Sequence, residues 1–166
     1  VAAEIWHSAP LAEDRPVARV ILSSDGSTDA DDGSATYLAA WAVAIAFEDD
    51  PGVLHFCHFF SGGLGLDAPG ALDSGHAEGA GLMWAMAWAV QAACLPRFAD
   101  AAFTFQYDAT YVGDAATGQS SLHEDRILGE QLFGLGAVVR EHCRATWEHV
   151  KGHSGRPSTS LPMPLR

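Results

Sequence analysis

The chain is poor in positive charge: nine Lys and Arg stand against 21 Asp and Glu in 166 residues, a formal net charge of -12. That balance excludes a nucleic-acid surface built on broad basic patches, because Lys and Arg neutralising phosphates supply most non-specific affinity. Any nucleic-acid contact must be local, or carried by a metal. Cysteine is scarce as well. Cys57, Cys94 and Cys143 lie far apart without a CxxC pair, which excludes a disulfide framework and a zinc knuckle and predicts core thiols in a reducing, intracellular compartment. Clean hydrophobic runs of membrane-spanning length are missing. The longest apolar stretch, residues 79–95, is broken by Gln91 and preceded by His76 and Glu78, and no basic region followed by an apolar one opens the chain. No membrane association is expected, and a monomer is the expected state.

What is present suits one domain. At 48% hydrophobic residues, 166 positions allow one proper core and are too few for two comfortable ones. Residues 1–16 contain two prolines and no sustained period, and read as an N-terminal arm. A domain over residues 17–157 follows, then an irregular tail at 158–166 rich in Pro and Ser. Residues 17–24 predict a buried strand, and "YLAAWAVAIAF" (37–47) and "VLHFCHFF" (53–60) predict two more, separated by the turn signal Asp50-Pro51-Gly52. Short loops make these three an antiparallel meander. Residues 76–95 predict a helix ended by Pro96, with Leu82, Met86, Ala89, Val90 and Ala93 on one face and Trp84 and Trp88 widening the stripe until most sides are buried. A strand at 103–107, a short helix near 109–116, a longer helix near 124–142 and a last strand at 145–150 complete an α/β pattern with a mixed, partly parallel sheet.

Several motifs fail on inspection. Asp25, Asp29, Asp31 and Asp32 crowd eight positions, but an EF-hand counted from Asp25 needs Gly and Glu where Ala30 and Thr36 stand. "GHSGR" (152–156) has Arg156 in place of the second glycine of a nucleophile elbow. His149 and His153 have zincin spacing without the adjacent Glu, and Gly152 breaks a helix there. His55 and His58, three apart on a strand, are predicted to face opposite ways. "GGLGL" lacks the third glycine of a dinucleotide loop.

An ordered set of acids survives. Asp25 is predicted to end the first strand, with Gly26 letting a ligand approach. Glu78 falls in the first turn of the long helix, and Asp108 directly follows the fourth strand. Asp29, Asp31 and Asp32 read as solvated loop carboxylates. "DGS" after a strand, "AEGAGLMWAMAWAV" led by a glutamate, "YDATYV" and "WEHVKGHSGRP" together resemble type 1 ribonuclease H, over about Val17 to Pro157. The resemblance implies a five-stranded sheet of order 3-2-1-4-5 flanked by helices. It implies hydrolysis of the RNA strand of RNA/DNA hybrids by two Mg2+ ions, with Mn2+ as a substitute, held by Asp25, Glu78 and Asp108 about 3.5 to 4 Å apart. His153 matches the family's loop histidine, expected to assist proton transfer or product departure. Gly26, Ser27, Ser74 and Gly75 occupy the places expected to touch ribose in the wide minor groove. Three like charges at one site are expected to raise at least one pKa.

The departures from the family are as informative. Its fourth aspartate, about ten residues past the loop histidine, has no counterpart, for no Asp or Glu follows Glu148. The sequence therefore predicts a domain truncated at its C-terminus with the last helix missing, or a metal site one ligand short. A basic handle between helices is absent too. Two functions stay open: an active hybrid nuclease, free-standing or part of a larger polyprotein, and a catalytically impaired module serving as a binding or structural domain.

Overall fold

The structure, a computed structural model, describes residues 6–7, 10–29, 38–64, 74–120 and 125–151. In chain order its elements are β1 (Trp6–His7), β2 (Arg19–Asp29), β3 (Leu38–Glu48), β4 (Leu54–Leu64), α1 (Ser74–Ala93), β5 (Ala102–Tyr107), α2 (Thr110–Thr117), α3 (Arg126–His142) and β6 (Arg144–His149). The strands form one sheet of order β1-β4-β3-β2-β5-β6. Counted from β2, the five longer strands run 3-2-1-4-5, as the resemblance implies. The β2–β3–β4 meander is antiparallel, whereas β5 joins β2 and β6 joins β5 in parallel. The arm before residue 17 is more than a lead-in, since Trp6 and His7 pair in parallel with Leu54 and His55.

Alternation decides what faces what. Val20 and Leu22 of β2, Val43, Ile45 and Phe47 of β3, and Phe103 and Phe105 of β5 share one buried core with Leu82, Ala85, Met86 and Ala89 of α1, Val112 of α2, and Leu128, Leu132 and Val139 of α3. All three helices thus contribute to the core on one side of the sheet. The other side carries a small cluster of Ile21, Ala46 and Leu54, without a helical member among the described residues. The β3–β4 turn is built as its sequence predicts. Gly52 takes a φ of 86°, the Asp49 carboxylate accepts from Val53 N at 2.9 Å, and the same carboxylate meets His55 Nε2 at 3.1 Å.

Four expectations need correction. First, β2 does not end at Asp25. Its antiparallel ladder with β3 continues to Asp29 opposite Leu38, across the small residues Gly26, Ser27 and Thr28. Second, two of the three cysteines are not core thiols: Cys57, at a bulge, and Cys94, at the end of α1, are exposed, while Cys143, half-buried at the end of α3, does pack against the core. Third, that bulge changes the histidines. Ala46 pairs with Phe56 and Ile45 with His58, which leaves Cys57 as the extra residue and places His55 and His58 opposite Phe47 and Ile45 on the same face. Fourth, Trp84 is 52% exposed, stacked on Trp41 with ring centroids 5.3 Å apart, so α1 is open on that flank. The missing last helix, the truncation and the tail concern residues 152–166, which lie outside the described residues.

Candidate functional site

Strand lengths create the site. The parallel ladder of β2 with β5 stops at Ser23 opposite Gln106, while β2 runs on beside β3. Asp25 therefore lies two residues past the point where β5 stops pairing with β2, in the notch left there. Asp108 is the first residue after β5, and counted on in the same register it falls opposite Asp25. Glu78 reaches the notch from above. It is the fifth residue of α1, whose first turns lie directly on β2, and a Cβ at Gly26 would run into the Glu78 nitrogen and the Ala77 carbonyl carbon. Only glycine allows that approach.

A second contact fixes the start of α1 sideways. His76 Nε2 meets the Asp125 carboxylate at 2.7 Å, and Asp125 also caps α3 by accepting from Leu128 N at 3.0 Å. One aspartate thus ties the N-termini of α1 and α3 together two residues from Glu78. Neither His76 nor Asp125 was singled out by sequence, although "HEDR" before an apolar-periodic run is an N-cap signal.

The result is a cluster in which Asp25, Glu78 and Asp108 each offer a carboxylate oxygen, all within 4.8 Å of one another. Asp25 is exposed and Glu78 is only 9% exposed. The Glu78 carboxyl is pushed up from its ordinary 4.5 to about 8, first by burial, then by the negative charges of Asp108 and Asp25, with a hydrogen bond to Asp108 favouring the protonated form. The Gly26 backbone N–H donates to Glu78 and works the other way. The expected rise in at least one pKa is met. Three carboxylate oxygens this close fit a divalent cation, because hard ions take oxygen donors and a positive charge would relieve the repulsion that holds Glu78 protonated. Among the described residues this is the one such grouping of acids, His and Cys.

The remaining sites divide. Ser27 follows Gly26 in β2, and Ser74 and Gly75 open α1, so all four expected ribose contacts lie in the two elements that carry Asp25 and Glu78. Gly26 departs from expectation in one respect: its N–H is engaged by Glu78 rather than directed to a ligand. His153 lies outside the described residues. Asp29 belongs to β2 instead of a loop, and Asp31 and Asp32 also lie outside them. His149, weighed by sequence only as a zincin partner, stands at the end of β6 with Nε2 2.9 Å from the Asp108 carbonyl oxygen.

No protein-family model and no curated protein sequence matches the chain. Solved structures do. The ribonuclease H domain of prototype foamy virus is 16% identical, with a TM-score of 0.58 over 86% of this chain and 84% of that one. LC11-RNase H1, isolated from compost by a metagenomic approach and solved in complex with an RNA/DNA hybrid, is 16% identical, with a TM-score of 0.53 over 80% of this chain and 86% of that one. The protease-reverse transcriptase of prototype foamy virus is 15% identical, with a TM-score of 0.60 over 92% of this chain but only 20% of that longer one. At such identities the likeness is one of architecture, and it agrees with the strand order and with the helices on the core face: the chain has the ribonuclease H fold.

Proposed function

We propose that this chain hydrolyses the RNA strand of RNA/DNA hybrids, with Asp25, Glu78 and Asp108 holding two divalent cations, Mg2+ by preference and Mn2+ as a substitute. The observation that carries the reading is the convergence of three carboxylates, from residues 25, 78 and 108, to within 4.8 Å on this fold. An LC11 enzyme of the same fold is solved with a hybrid bound, which supports the substrate class. Bound between these acids, divalent ions would supply charge stabilisation on both sides of an in-line displacement at phosphorus. The chain's own residues do the rest. Asp25 and Asp108 present oxygens from two strand ends, Glu78 gives up its proton when a cation arrives, and Ser27, Ser74 and Gly75 border the groove where ribose hydroxyls would lie. The likeness to one fifth of a protease-reverse transcriptase supports a place within a larger polyprotein.

A second reading has its own observation: among the described residues three carboxylates, those of Asp25, Glu78 and Asp108, are all that converge. If three do not suffice for turnover, the domain would bind or position without cleaving. A labelled hybrid, incubated with Mg2+ or Mn2+ beside duplex DNA and duplex RNA, separates the two. We expect hybrid-specific cleavage that is weak in Mg2+ and stronger in Mn2+, whose ligand demands are more permissive. Binding without cleavage in either ion favours the impaired module, and preferential cleavage of duplex DNA overturns the substrate class.

A further inference from the structure

We propose that His149 is a positioning residue that aims Asp108 at the other two acids; this rests on the metal-site reading above. The parallel ladder of β5 with β6 ends at Tyr107 opposite His149, and its last backbone rung is Val150 N–H donating to Tyr107 O at 2.8 Å. The next carbonyl along the chain, that of Asp108, is beyond the strand. On its other side β2 has already stopped pairing, at Ser23 opposite Gln106. The imidazole of His149 supplies the missing rung, with Nε2 2.9 Å from Asp108 O. A carbonyl can only accept, so Nε2 carries the hydrogen.

The neighbouring peptide groups show why this bond matters. The Tyr107 carbonyl is held by Val150, and the Ala109 carbonyl accepts from Val112 and Gly113 at the start of α2. Asp108 is the link between these two anchored carbonyls. Fixing its own carbonyl sets the plane of the Asp108–Ala109 peptide, and with it the direction in which the Asp108 carboxylate leaves the backbone. The imidazole is seated for the task. Its ring lies 6.2 Å from that of Tyr107, which is buried and pressed against Gly113 of α2. A strand end, a helix start and one imidazole together hold the acid that bonds Glu78.

Two variants separate this role from plain stability. His149→Phe keeps a ring beside Tyr107 and removes the donor, while His149→Gln keeps a donor. Each is compared with the parent by calorimetric titration with Mn2+ and with Mg2+ and by thermal melting without metal. The Phe variant should bind metal about tenfold more weakly or worse, the usual effect of losing a group that orients a ligand. Its metal-free melting temperature should stay close to the parent's, and the Gln variant should recover most of the affinity. Parent-like metal affinity in the Phe variant, or equal losses in Phe and Gln, overturns the role of His149 while leaving the metal site standing. A folded parent that binds neither ion overturns the metal-site reading and this inference with it.

Discussion

Glu78 concentrates the site's electrostatics in one titration. Its folded pKa of about 8 lies above its ordinary 4.5, so between these values the folded chain holds a proton that the unfolded chain has released. Stability from this group is complete below the unfolded value and is lost as pH rises through the folded one. Without metal, urea midpoints should therefore fall from about pH 5 to pH 8, and Glu78→Gln should flatten that slope. A slope that persists in the Gln variant would place its origin elsewhere. Metal reverses the preference, since it needs the charged carboxylate. Magnesium should stabilise the parent by about 2.7 kcal/mol at a hundred times its dissociation constant. Asp25→Asn and Asp108→Asn should each raise the metal-free melting temperature by relieving repulsion and remove most of the magnesium response. Asp31→Asn should change neither, and if it alone removed the response, the stretch after β2 would be the binding site instead.

At the scale of elements, close approach matters more than propensity, and two glycines make the contrast measurable. A Cβ on Gly26 collides with the backbone of α1, whereas one on Gly134, on the outer side of α3, meets nothing within 4 Å. Gly26→Ala should cost about 1–3 kcal/mol as overpacking and also weaken metal binding, because it lifts Glu78 from the notch. Gly134→Ala should stabilise by up to about 1 kcal/mol, the helix propensity difference between Gly and Ala. Chemical denaturation of both variants checks the pair, and equal effects would contradict the packing described for α1. The same contrast explains how much was legible in advance. Periodicity found α1, with its buried Leu82, Met86 and Ala89, and α3, with its buried Leu128, Leu132 and Val139, and "DGS", "AEGAG" and "YDAT" located all three acids. Periodicity cannot report where one strand outlasts its neighbour, so the sequence alone ends β2 at Asp25 although β3 carries it to Asp29. Nor can alternation foresee a bulge, so spacing alone puts His55 and His58 on opposite faces where the bulge brings them to the same one. The pairing of His149 with Asp108 depends on the β5–β6 register, which no local pattern encodes.

For the whole molecule the governing quantity is charge, and among the described residues little positive charge is available to a polyanion. Seven of the nine Lys and Arg lie among the described residues, and six of these are engaged within the chain. Arg19 pairs with Glu48 and Arg126 with Glu130, and Arg15 makes the smallest contribution, after the Val53 N–H and His55, to holding the Asp49 carboxyl below its ordinary range against the effect of burial. Arg97 donates to the carbonyls of Leu11, Ala12 and Arg15, Arg140 to that of Ala116 and Arg144 to that of Asp100. Lys151, exposed and two residues past His149, has no such contact with the described residues. The pair of Arg126 is exposed and weak enough to exchange, but the carbonyl-bound arginines hold the fold and cannot turn outward without loss. Hybrid affinity should therefore depend weakly on salt, since each neutralised phosphate contributes a slope of only about 0.9 in log affinity against log salt. We expect a slope equivalent to about two or three phosphates, falling by about one in Lys151→Ala and unchanged in Arg97→Ala. Fluorescence anisotropy with a labelled hybrid between about 50 and 200 mM salt covers the range in which the slope is read. A slope equivalent to about eight phosphates or more would mean that a basic surface forms on binding, and the view of a site gripped mainly through its metals and a few local contacts would have to be given up.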